Sequence, residues 1–272
     1  YEIAFCSNEY EEGKEPAAPK GTFRLQNAEE ARAYYGDITS FSAFDAAVNS
    51  TNNPEVKVES DITKVGEGVE VERNVTIDFD GKEFNAGSDA NSTWYALEIY
   101  GDYDVNIKNA EFTRAGIYAG ENANVVFENG TINHKPERTS RYIFCARSGA
   151  TITVKDGTFI NDRAKNSFFW ADAATIIVEG GTYTSVNGVK SSKKIVTTNG
   201  GQVIIKAGTF EFDPTAWVVP TSVVEKVGSN WVVTPITPSS NISDAISGVE
   251  DGGKIVLVDG NYTMPSVNGK TV

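Results

Sequence analysis

The feature that most constrains this chain is a phrase that recurs between Val75 and Asp213. A run of β-branched residues leads into a turn, and a large apolar residue follows, preceded in the later copies by Gly and Thr. It reads NVTIDFDGKEF to Phe84, VNIKNAEF to Phe112, VVFENGTI to Ile132, TITVKDGTF to Phe159, TIIVEGGTY to Tyr183 and VIIKAGTF to Phe210. These end-points lie 28, 20, 27, 24 and 27 residues apart. Self-similarity at such a period is the mark of a solenoid. Each period has room for about three short strands with their turns, one coil of an all-β parallel β-helix. Alternation then predicts the inward side chains: Ile77 and Phe79, Ile152 and Val154, Ile176 and Val178,. Gly157, Gly181 and Gly208 fall where the chain must turn sharply, a place that favours positive φ.

The flanks depart from the period. Residues 1–40 hold a strand candidate (YEIAF), an acidic Pro-containing stretch and a helix candidate, NAEEARAYYG, with Asn27 as cap, Glu30 returning the bond and Gly36 as stop,. An anchor to a larger assembly and a leader with one docked turn both remain open for this segment. FSAFDAAVN, residues 41–49, predicts a small amphipathic helix capped by Ser42, which opens the coil of residues 41–214. Residues 215–238 predict a hairpin around Gly228-Ser229-Asn230, with Trp217 and Trp231 plugging the end of the coil,. Residues 239–272 restart the order of helix, strand and GNY turn. That predicts a second β-helix module and a chain that is one segment of a longer protein; a cap folded back on the first coil is the alternative.

The helix FSAFDAAVN, the first rung VTIDFDGKEF and the repeated GTF and GTY turns resemble the pectin-lyase-like right-handed parallel β-helix superfamily, over about residues 41–214. The stretch GTFEFDPTAWVV with VVEKVGSNWVVT resembles a terminal unit of non-enzymatic surface β-helix proteins of gut bacteria and their phages. The resemblance implies a right-handed single-stranded coil with a short capping helix and a C-terminal hairpin cap. Function is left open by it, because the superfamily holds polysaccharide lyases, glycoside hydrolases, phage tailspikes and fibres, and adhesins.

Composition narrows the partners. With 24 Lys and Arg against 37 Asp and Glu, the net charge is -13. Such a surface repels nucleic acid and anionic bilayers, and no apolar run approaches the ~18 residues of a membrane span. Two cysteines, Cys6 and Cys145, exclude a disulfide framework. In the superfamily the chain resembles, pectate-lyase-like members use clustered carboxylates with Ca²⁺ and a basic residue, and polygalacturonase-like members use three Asp with a Gly-His-Gly motif. Here the one His, His134, has no flanking Gly and reads as a solvated turn residue. Asp78 with Asp80, and Asp102 with Asp104, are spaced to share the outer face of a strand, yet Ca²⁺ wants six to eight oxygens. Arg114 and Arg141 are the candidate bases and lack a partner in sequence. No catalytic set, cofactor or metal is expected. Sequons at Asn49, Asn74, Asn91, Asn129, Asn241 and Asn261 matter only in a secreted eukaryotic protein.

The stronger anomaly is aromatic. Every coil carries a second apolar run: STWYALEIY, GIYAG, RYIFCA, NSFFWAD. Successive Phe168, Phe169 and Trp170 predict rings on both faces of one strand, so the outer face needs cover. Intramolecular packing, a protomer interface and a sugar platform all remain open, with Trp94, Tyr100, Phe169 and Trp170 as the contact candidates. The expectation is a structural or adhesive module of an elongated fibre, extracellular or on a virion, such as a phage head or tail fibre or a bacterial adhesin. Its expected partners are copies of itself in a trimer, other parts of a surface assembly, and a cell-surface glycan. A lyase or hydrolase is the competing expectation.

Overall fold

The structure, a computed structural model, describes residues 38–50, 54–64, 68–86, 95–134, 142–162, 167–186 and 194–236. The calls on residues 1–37 and 237–272 lie outside them. Helix α1 (Phe41–Asn49) comes first, and the strands then fall into groups of three. These are β1 (Glu55–Lys57), β2 (Ile62–Thr63) and β3 (Val69–Val71); β4 (Val75–Asp78), β5 (Glu83–Asn85) and β6 (Tyr95–Ile99); β7 (Asp104–Lys108), β8 (Ala110–Thr113) and β9 (Gly116–Ala119). The same order continues with β10 (Asn124–Phe127), β11 (Gly130–His134) and β12 (Tyr142–Arg147); β13 (Thr151–Val154), β14 (Thr158–Asn161) and β15 (Ser167–Asp172); β16 (Thr175–Val178), β17 (Thr182–Ser185) and β18 (Ile195–Thr198). Strands β19 (Gln202–Ile205) and β20 (Gly208–Phe210) begin another turn, and β21 (Ser222–Val227) and β22 (Asn230–Pro235) end the description.

Each third strand joins the same sheet. The first sheet runs β1-β4-β7-β10-β13-β16-β19, the second from β2 to β20 and on to β22 and β21, and the third from β3 to β18. All pairings within the coil are parallel. The chain is therefore an all-β parallel β-helix, wound from short strands whose inward side chains stack from turn to turn. Alternation supplies that inward set: Ile77, Phe79, Ile152, Val154, Ile176 and Val178 are fully buried.

The end-points of the repeat form one line through the second sheet. Phe84 pairs with Phe112, Phe112 with Ile132, Ile132 with Phe159, Phe159 with Tyr183 and Tyr183 with Phe210. The rings of Phe159, Tyr183 and Phe210 stack at 4.8 Å per step. A single turn could not bury these faces, so each ring depends on its neighbours above and below. The Gly before the Thr makes the corner. Gly130, Gly157, Gly181 and Gly208 have φ of 140°, 142°, 94° and 134°, as the turn chemistry predicts.

Polar groups line the corners in register too. Asn109 donates to Asp78 at 2.9 Å and accepts from the Asn129 side chain at 3.1 Å. Lys155 pairs with Glu128 on the preceding turn and Lys206 with Glu179, each at 2.9 Å.

Described elements cover part of each end of the coil. Ser40, rather than Ser42, caps α1, its hydroxyl accepting from Ala43 N at 3.2 Å. Phe44 lays its ring 5.5 Å from Phe79 and 5.7 Å from Phe84. Arg73 donates to the Val48 and Ala47 carbonyls, which satisfies the open helix C-terminus,. The Asn49 side chain donates to Glu70 O at 2.9 Å and accepts from Glu72 N at 3.3 Å. Its amide thus stands in for a neighbouring strand along β3, the edge of the third sheet. At the other end β22 runs antiparallel to β20, and β21 folds back on β22 around Gly228. Trp217 and Trp231 are half-buried against the core.

Candidate functional site on the outer face of the third sheet

The strands of the third sheet bring one outward column into register. Glu70 pairs with Glu98, Glu98 with Tyr118, Tyr118 with Cys145, Cys145 with Trp170 and Trp170 with Val196. A second line, Arg147, Asp172 and Thr198, runs two residues further along the same strands.

Trp170 is the centre of one cluster. Its indole N–H donates to Thr198 Oγ1 at 3.1 Å. The Tyr142 ring lies 4.8 Å away, and the Arg147 guanidinium sits 5.1 Å from the indole centroid, a cation–π contact,. Arg147 is itself held by Asp172, with Nε and a terminal nitrogen each 3.1 Å from Oδ2. The other Asp172 oxygen accepts from Thr198 at 2.7 Å and Asn199 at 2.6 Å. These hydroxyl and amide donors, followed by Arg147, hold the Asp172 carboxyl below its ordinary pKa. The hydrogen bond to Asp172 in turn raises Arg147. The indole is thus fixed by groups that are themselves fixed.

Further along the column is a tyrosine cluster. The Tyr118 ring lies 5.4 Å from Tyr95 and 5.2 Å from Tyr100. The Tyr100 hydroxyl donates to Glu98 at 2.7 Å. Burial pushes the Glu98 carboxyl up, Tyr100 opposes it and the Glu70 charge adds to it. Burial also raises the Tyr100 and Tyr118 phenols. Cys145, between the two clusters, is buried and its thiol is pushed up to about 12 by that burial. It therefore stays a protonated, inert thiol.

The structure places the sequence candidates unevenly. Trp170 faces outward and is half-buried, and Tyr100 is half-buried beside Glu98. Phe169 is not a surface contact: it is fully buried, 6.0 Å from Phe144 and 5.1 Å from Tyr183. Phe168 is buried with it, so the run does not put rings on both faces in strict alternation. The cause is local. The amides of Phe168 and Phe169 both donate to the Lys194 carbonyl, at 2.9 and 3.4 Å, which breaks the alternation where β15 begins. Trp94 and Arg141 lie outside the described residues. Tyr118, Tyr142, Glu98, Arg147 and Asp172 were missed as site residues, although Tyr118 and Tyr142 sit inside the quoted runs GIYAG and RYIFCA.

His134 is not a solvated turn residue but is buried at the end of β11. Asp80 has left its strand for a turn at φ 49° and pairs with Lys57 at 3.1 Å, while Asp78 accepts from Asp80 N and from Asn109. Asp102 precedes β7, and Asp104 accepts from Asn124 at 2.9 Å. These carboxylates serve the corners of the coil. Among the described residues no group of three or more His, Cys, Asp or Glu is placed to hold a metal ion. No family model, curated protein or solved structure matches the chain.

Proposed function

We propose that this chain is a structural, adhesive module of an elongated fibre, on a virion or a bacterial surface, that holds glycan along the outer face of its third sheet. The observation that carries this reading is Trp170, half-exposed, beside Tyr142 at 4.8 Å and Arg147 at 5.1 Å, with Asp172 and Thr198 fixing both. Rings flanked by fixed donors and acceptors suit a sugar, whose C–H faces pack on aromatics while its hydroxyls take hydrogen bonds. The coil supports a shaft role because it lengthens by adding turns. The capping helix, first rung and GTF turns support a place in the pectin-lyase-like superfamily, and the stretch GTFEFDPTAWVV with VVEKVGSNWVVT supports a place among its non-enzymatic members.

A glycan array tests the binding. At least one surface polysaccharide should bind the wild type, and Trp170→Ala should weaken it about tenfold or more, the loss of roughly 1.4 kcal/mol. Lys226→Ala, at the hairpin end, should leave it unchanged. Binding that ignores Trp170→Ala overturns the assignment of the face. Sedimentation tests assembly: a trimer supports the fibre, and a monomer at micromolar concentration removes it.

The enzymatic reading has one observation in its favour, the Glu98 carboxyl held high beside Glu70, the type of pair that runs acid–base chemistry. Incubation with plant and capsular polysaccharides decides the matter. New reducing ends or an unsaturated product, lost in Glu98→Gln, would replace the adhesive reading.

A further inference from the structure

We propose that Glu98, Glu70 and the rings of Tyr95, Tyr100 and Tyr118 form a subsite for an ammonium group, carried by an amino sugar of the bound glycan. This deepens the glycan reading of the third sheet and rests on it.

Glu70 and Glu98 pair directly on the outer face, which puts them about 4.8 Å apart along the coil axis. Like charges in that position repel. Other carboxylates of the coil carry a cation from their own or a neighbouring turn: Lys155 on Glu128, Lys206 on Glu179, Lys57 on Asp80 and Arg147 on Asp172. Glu70 and Glu98 have no cationic partner among the described residues. Among the described residues the one hydrogen bond to the Glu98 carboxylate comes from the Tyr100 hydroxyl. Arg147, whose charge reaches Tyr118 from the next turn, is already engaged by Asp172.

The rings give the pair its meaning. Tyr118 and Tyr100 are half-exposed and in contact at 5.2 Å, with Tyr95 buried behind Tyr118 at 5.4 Å. Aromatic faces carry negative potential, so rings beside carboxylates attract a cation more than either does alone. The second sheet supplies a contrast. Glu83 and Glu111 also pair in register, but their outward neighbours are Asn85, Thr113 and Thr131, which offer a cation no ring. A neutral sugar could donate hydroxyls to the two carboxylates but would leave their charge uncompensated, and a uronic acid would be repelled by them. Along the column the pair lies on the same line as Trp170, three turns from Glu98, or about 14 Å,. One oligosaccharide running along the axis reaches both.

Calorimetric titration with a glucosamine oligomer and its N-acetylated counterpart tests the subsite. The wild type should bind the ammonium-bearing oligomer at least tenfold more tightly, and high salt should shrink that preference. Glu98→Gln and Tyr118→Ala should abolish the preference, while Glu111→Gln, which removes a charge from the ring-free pair, should keep it. Trp170→Ala should weaken both oligomers alike. A melt of each variant confirms that it is folded. Equal affinity for the two oligomers overturns the ammonium subsite and leaves the glycan surface standing. Equal loss of preference in Glu111→Gln and Glu98→Gln also overturns it, because net charge alone would then be acting. If neither oligomer binds but a lysine-rich peptide does, with sensitivity to Glu98→Gln, the sugar assignment is overturned.

Discussion

Gly130 and Gly81 both hold positive φ, 140° and 70°, yet they answer differently to an added methyl. A Cβ on Gly130 would lie 2.1 Å from the Ala110 carbonyl oxygen, whereas one on Gly81 meets nothing within 4 Å. Gly81→Ala should cost about 1 kcal/mol through its backbone angle alone, and Gly130→Ala upward of ~3 kcal/mol because strain and overlap add. Urea melts of the two variants check the contrast. Tyr183→Ala, which empties the middle of the ring stack, should cost about 3–5 kcal/mol in the same assay. Glu98 supplies a pH test. Burial and Glu70 hold its folded-state pKa above the ordinary value, so the folded chain binds that proton more tightly than the unfolded chain. Its stabilising contribution is full below the ordinary carboxylate range and is lost as pH rises through the raised value. Glu98→Gln should therefore flatten the fall in stability across that window. Asp172 has the opposite sign: its pKa is lowered, so its contribution is present above the ordinary value and lost as pH falls through the lowered one. Asp172→Asn should reduce the acid-side loss.

The strands were readable from sequence because burial on the inner face imposes a period of two, and the coil imposes a second period on top of it. Ile77, Val154 and Phe159 satisfy both rules at once, so either alone finds them. Corners obey neither rule. Phe168, the second residue of β15, lies at such a place, and its burial follows from a shared carbonyl on Lys194 that no spacing encodes. The outer face of the third sheet was legible as aromatic excess but not as an arrangement. Arg147 and Asp172 are 25 residues apart in sequence and meet only because the register of β12 on β15 brings them together. The capping helix shows the same limit: its apolar face was visible, while the roles of Asn49 and Arg73 depend on how the helix docks on the first turn. Arg73→Ala removes the side-chain donor from the Val48 and Ala47 carbonyls, of which Ala47 keeps the Ser50 amide, and should cost roughly 1–3 kcal/mol. Phe44→Asp should go further and open the end of the coil. The expected outcome in size-exclusion chromatography is self-association through the exposed edge, in contrast to wild type.

At the scale of the molecule, stability is a sum over contacts between adjacent turns, and this leaves the outer faces free to vary. The first sheet shows a half-buried column of Thr76, Asn106, Val126, Thr153, Ile177 and Ile204. The second shows Glu83 and Glu111, then Thr131, Thr158, Thr182 and Thr209. Among the described residues the third alone sets rings and an arginine beside its carboxylates. That difference between faces of one coil is the ground for the proposal that the third sheet carries recognition. Hydroxyl-radical footprinting with and without the glycan selected on the array tests this most directly. The account predicts strong protection at Tyr118, Tyr142 and Trp170, with Trp217 and Trp231 at the hairpin end unchanged. Protection spread evenly over all five, or confined to the hairpin end, would contradict it.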